Sequence, residues 1–152
     1  MKVLVTVGTS SFNRIFSILD NIHIEGVEFF FQVGESDIVP SNYVWACYVD
    51  NFNEFIRGFD LVITHAGAGS VFYNLENSIS MIVVPNLERV DKHQLELANY
   101  LTSNDFSIVC YDLKLLPSML SKFMNGKYRV TPYIKDTFFK FEEISDYLFG
   151  NM

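Results

Sequence analysis

Six short apolar runs alternate along the chain with segments whose apolar positions recur every three or four residues. Val3 to Val7, Val27 to Val33, Tyr43 to Val49, Leu61 to Thr64, Met81 to Val84 and Ser107 to Tyr111 read as strands, several of them closed by Gly8, Gly34 or Pro85. Between them, Phe12, Ile15, Phe16 and Leu19 share one helix face, and Phe52, Phe55, Ile56 and Phe59 mark a short helix. Further helices are predicted from about Val71 to Asn77, around Leu95, Ala98 and Leu101 with a start near Asp91, and over Leu115–Met124 and Phe138–Phe149. Strands of this kind, separated by amphipathic helices, predict an α/β domain over 1–152: a parallel sheet with helices on both faces. Ligands in such sheets bind beyond the carboxyl ends of the strands, where the strand order switches. The turns that matter are therefore those after the first, fourth and fifth strands.

The first of these turns is Gly8-Thr9-Ser10-Ser11. Its glycine permits close backbone approach, and its hydroxyls suit phosphate oxygens, although a helix cap needs the same residues. The second is His65-Ala66-Gly67-Ala68-Gly69-Ser70. Two glycines and a serine at a helix start suit a diphosphate, whereas a plain strand-to-helix crossover needs only one glycine. The third glycine of a dinucleotide fingerprint and the Gly-Lys-Ser/Thr of a P-loop are both missing, which argues against those two classes. His65 stands at the lip of this turn as a phosphate contact, a base or a structural cap. In the third turn Asp91, His93 and Gln94 are expected to project toward the same cleft, where carboxylate and amide groups match sugar hydroxyls. Asp91 and Gln94 also have the spacing of a capping box.

Composition narrows the function classes. A net charge of −7 argues against nucleic acid, and against an anionic membrane as direct target unless a local basic patch overrides the average. His23, His65 and His93 have no ligand spacing, so no metal site is expected. Cys47 and Cys110 are expected to be buried, reduced thiols. No apolar run reaches membrane-spanning length, so a cytoplasmic protein is expected, brought to the inner face of the membrane through a partner. Fifteen Phe and eight Tyr exceed what a central core requires, which suggests a surface buried by another subunit or by a homodimer.

Thr6-Val7-Gly8-Thr9-Ser10-Ser11-Phe12, Thr64-His65-Ala66-Gly67-Ala68-Gly69-Ser70, and Val83-Val84-Pro85-Asn86 with His93-Gln94-Leu95-Glu96-Leu97-Ala98 together resemble glycosyltransferase family 28 in its carboxyl-terminal-domain-only form. Members of that family serve dolichol-linked N-acetylglucosamine transfer in eukaryotes and capsule or exopolysaccharide synthesis in bacteria. The resemblance implies a Rossmann-like GT-B half domain that takes a UDP-sugar as substrate, without cofactor or metal. It also implies inverting transfer to a lipid-linked acceptor, with a membrane-associated partner subunit supplying the acceptor side. By position, Gly8, Thr9 and Ser10 would face the diphosphate, Gly67 to Ser70 would form its second wall, and Gln94 would meet the donor sugar. The family commonly places a ribose-gripping glutamate where this chain has Tyr73; Glu76, one helical turn on, is the nearest acid. Asn13 and Lys92 are lesser departures, and Tyr73 keeps a non-catalytic nucleotide-sugar-binding or scaffold subunit open as the alternative. The Phe138–Phe149 helix is expected to dock on the partner or on the chain's own sheet.

Overall fold

The computed structural model describes residues 1–88 and 92–135. Six strands form one parallel sheet in the order β3-β2-β1-β4-β5-β6: β1 (Lys2–Thr6), β2 (Glu28–Gln32), β3 (Val44–Ala46), β4 (Leu61–His65), β5 (Met81–Val84) and β6 (Ile108–Val109). The register pairs Thr6 with Gln32 on one side and with Thr64 on the other. The chain first winds outward from β1 through β2 to β3, then returns to the far side of β1 with β4. The switch in strand order thus falls between β1 and β4.

Helices cover both faces, as the alternating pattern requires. On one face α1 (Asn13–Leu19) and α5 (Leu116–Met124) insert Ile15, Phe16, Leu19, Leu116 and Leu120 against Val3, Val5, Phe31 and Ile63. On the other, α2 (Phe52–Phe55) with its 3-10 extension, α3 (Ala68–Glu76) and α4 (His93–Ser103) pack on Leu4, Val62 and Val83. Adjacent side chains of a strand serve opposite layers, and Phe29, Phe30 and Phe31 divide accordingly: Phe29 and Phe31 join Tyr43, while Phe30 meets Phe55 and Phe59. Among the described residues these rings are absorbed internally, whereas Trp45 and Tyr48 remain exposed at the β3 edge and Tyr100 and Tyr111 elsewhere.

Several boundaries differ from the sequence expectation. The third and sixth strands shrink to Val44–Ala46 and Ile108–Val109, because an edge strand pairs on one side only and ends where its neighbour does. The α3 helix begins at Ala68 rather than Val71, so Gly69 and Ser70 lie inside its first turn. Cys47 is exposed, not buried, since the chain has already left β3 when it reaches this residue. Cys110 is buried, and desolvation, followed by the Asp112 carboxylate, pushes its thiol up to about 11. The predicted Phe138–Phe149 helix lies outside the described residues.

Candidate functional site

The switch point brings the turns after β1 and β4 into contact. Gly8 takes a left-handed φ of +60°, and a Cβ at that position would lie 3.6 Å from His65 Cε1 and 3.9 Å from Ser70 Oγ. The turn is pinned from within. Thr6 Oγ1 accepts from the Gly8 N–H at 3.1 Å and donates to Gln32 Oε1 at 2.9 Å, while the Ser10 N–H bonds the Val7 carbonyl. The Phe12 N–H is satisfied by Ser36 Oγ. The hydroxyl residues Thr9 and Ser11 stay exposed, leaving them available to a ligand.

Across the switch, β4 ends in His65, whose side chain is almost entirely buried. The Gly67 N–H turns back onto the His65 carbonyl at 2.8 Å, and a Cβ at Gly67 would lie 2.4 Å from His65 Nε2. Glycine is needed here for room, since its φ of −85° is open to any residue. Gly69, by contrast, has nothing within 4 Å of a built Cβ. The first bond of α3 runs from the Val71 N–H to the Gly67 carbonyl. The N–H groups of Ala68, Gly69 and Ser70 therefore have no acceptor within the helix, and they sit at its positive end. Backbone donors with hydroxyls beside them, sterically bare at Gly69, form an arrangement that can hold a phosphate or diphosphate.

The third turn is laced to the first. Asn86 Nδ2 bonds the Ser11 carbonyl at 3.4 Å, and the Asn86 N–H donates to Gln94 Oε1 at 2.9 Å. The buried Gln94 thus uses its carbonyl oxygen to hold the β5–α4 turn. His93 is exposed and lies 3.5 Å from Glu96 Oε2. The helix begins at His93 with Lys92 at the cap position; Asp91 lies outside the described residues.

The two ribose candidates are placed elsewhere. Tyr73 points its hydroxyl to the Asn53 carbonyl at 3.1 Å, tying α3 to α2. Glu76, the last residue of α3, is ion-paired to Lys135 at 2.9 Å. At 1.5 Å per residue, that position stands about 12 Å along the helix from Ala68. Asn13 clamps the loop after β2 by accepting from the Asp37 and Ile38 N–H groups. The sequence reading missed Gly34: at φ +56°, a Cβ there would lie 2.6 Å from the Gly8 carbonyl oxygen and 2.7 Å from that of Ser10. A glycine closing the second strand was its only trace in the sequence. Among the described residues, no cluster of three or more His, Cys, Asp or Glu side chains could hold a metal, and no helix is long and apolar enough to cross a membrane.

The UDP-N-acetylglucosamine transferase subunit ALG13 of Homo sapiens is 34% identical over 122 residues, covering 71% of this chain but only 11% of the relative. This chain thus spans about a tenth of that relative's length. The relative's name carries no capsule or exopolysaccharide role, so that part of the expectation has no support. Among solved structures, MurG of Acinetobacter baumannii matches with a TM-score of 0.62 at 20% identity, over 82% of this chain and 41% of that one. A solution structure of ALG13 matches at 0.54 and 18% identity, over 87% and 89%. These two likenesses establish the fold, a GT-B carboxyl-terminal half domain. The profile of the glycosyltransferase family 28 C-terminal domain matches residues 2–130, from β1 to just beyond α5, and the chain belongs to that family.

Proposed function

We propose that this chain is the donor-binding, catalytic subunit of a two-component inverting glycosyltransferase that moves a hexose or N-acetylhexosamine from a UDP-sugar to a lipid-linked acceptor. The observation that carries the reading is the contact between the Gly8 and Ser70 turns at the strand switch. In this reading the N–H groups of Ala68, Gly69 and Ser70, with the hydroxyls of Thr9 and Ser10, hold the diphosphate. They offset the charge that builds on UDP as its bond to the anomeric carbon breaks, a task that requires no metal. The acceptor hydroxyl attacks from the opposite face and loses its proton to a base. His65, buried beneath Gly67, supports the phosphate side, and the base comes from the acceptor subunit. Gln94 and His93 border the sugar end. The name of the human relative favours N-acetylglucosamine within this sugar class.

Thermal unfolding with UDP in the presence of a chelator tests donor binding. Saturation at about a hundredfold over Kd is worth about 2.7 kcal/mol, a rise in Tm of roughly 5–10 °C. An unchanged Tm with every uridine nucleotide would overturn the proposal. A second reading, a non-catalytic nucleotide-sugar-binding subunit, is favoured by the engagement of Tyr73 with Asn53 and of Glu76 with Lys135. UDP protection without transfer, even when the acceptor subunit is present, would select it.

A further inference from the structure

Gln32 closes β2 after Phe29, Phe30 and Phe31, at a position where a strand covered on both faces ordinarily carries Val, Ile or Leu. It is 6% exposed and stands level with Thr6 of the neighbouring β1, at the carboxyl end of the sheet. Its hydrogen bonding is one-sided. The Gly8 N–H donates to Thr6 Oγ1, and the single Thr6 hydroxyl proton goes to Gln32 Oε1 at 2.9 Å. These bonds fix which way the amide lies. Turned over, it would face Thr6 with its nitrogen and leave that proton without its acceptor. Gln32 Nε2 therefore points away from Thr6, and its two N–H groups have no acceptor among the described residues. Bracing the Gly8 turn uses the carbonyl oxygen alone. A nearly buried amide with both donors unspent is unfavourable unless something else accepts from it.

We infer that Gln32 is a further donor-binding residue, whose Nε2 amide donates to a phosphate oxygen of the nucleotide diphosphate. The inference rests on the donor-binding reading and adds a residue that reading does not use. Position and chemistry carry it. Two hydrogen bonds separate the amide from the Gly8 turn, which lies beside His65 and Ser70 at the strand switch. Phosphate oxygens are the strongest acceptors a nucleotide brings to that turn, and an N–H donated to one is charge-assisted. A carboxamide offers two donors and no charge of its own. It can therefore wait in a nearly buried position without a counter-ion, which a lysine or arginine could not. Gln32 lies on the β2 side of the switch, whereas Gln94 braces the β5–α4 turn on the other side. The diphosphate is then held from β2 as well as from the start of α3.

The test is titration of the full chain with UDP, read by calorimetry and by the side-chain amide resonances of Gln32. In the parent, the Gln32 amide pair is expected to shift on saturation with UDP and to stay in place with uridine. Gln32→Leu should weaken UDP binding about tenfold to a hundredfold, the range for one hydrogen bond to a charged group. Gln32→Glu keeps an oxygen for the Thr6 hydroxyl but sets a carboxylate oxygen where the amide donated. Its UDP Kd should rise by about a hundredfold or more, since an attraction becomes a repulsion. The Tm of each variant without ligand shows whether it is folded. A Kd in Gln32→Glu equal to the parent's overturns the inference, because a side chain that only braces the turn is replaced by Glu without loss. So does a Gln32 amide pair that UDP leaves unmoved, or that uridine moves equally. That measurement is made on the parent and stands even if a variant does not fold. Absence of UDP binding by the parent is a separate failure, which removes the donor-binding reading itself and this inference with it.

Discussion

Gly67 and Gly69 were equivalent in the sequence, yet a methyl group at Gly67 would meet the His65 imidazole at 2.4 Å, and one at Gly69 would meet nothing. Gly67→Ala is therefore expected to cost about 1–3 kcal/mol through overpacking, whether or not a ligand is present. Gly69→Ala should keep or raise the Tm of the free protein, since alanine favours a helix by about 0.5–1 kcal/mol over glycine. It places its methyl on the proposed phosphate surface, however, and should weaken UDP protection. Thermal scans of both variants with and without UDP separate the two effects. Full UDP protection in Gly69→Ala would remove the diphosphate from that turn. The residue types at the switch were legible because two glycines and a serine directly after a strand exceed what a plain crossover requires, even though a helix cap uses the same residues. The fold of the imidazole back over Gly67 is a side-chain conformation, and the approach of Gly34 to the Gly8 carbonyl joins residues far apart in the chain, so neither left a pattern to read.

At the level of elements, the alternation of apolar runs placed every strand and all the helices that the structure describes. The boundaries that moved are those set by neighbours: β3 and β6 are shorter because their pairing stops. The helix α4 is joined to the β5 end by Gln94, which the sequence reading had assigned to the donor sugar. Gln94→Met retains the volume but leaves the buried Asn86 N–H without its acceptor, at a cost of about 1–3 kcal/mol. Chemical denaturation measures that loss, and an unchanged midpoint would show that the bond carries no load. If Gln94 also meets the sugar, the variant should further weaken UDP-sugar binding relative to UDP alone. Comparing the two ligands distinguishes support of the turn from contact with the donor.

At the scale of the whole molecule, Thr9, Ser11, Ala68, Gly69 and His93 are all exposed at the carboxyl end of the sheet. A donor held there would be covered on one side only, and inverting transfer needs the acceptor delivered to the other. Transfer is therefore expected to require the acceptor-side subunit, with the isolated chain showing UDP binding but no measurable turnover. A turnover assay on the purified chain, with and without that subunit, decides the point. Full activity of the chain alone would refute the split-enzyme proposal.

The sequence by itself determined the parallel α/β architecture, the strands and helices, and the two Gly/Ser turns at which a phosphate ligand is expected. Those features depend on local periodicity and on residues whose conformational or hydrogen-bonding properties are nearly position-independent. Only the tertiary structure decided which turns touch, that Gly34 supports the first of them, that Gln94 braces a loop, and that Tyr73 and Glu76 are engaged away from the site. Most of these depend on distances between segments separated by helices and strands, and the Gln94 brace on how one turn closes on itself. Packing sets such distances, and no local pattern encodes them.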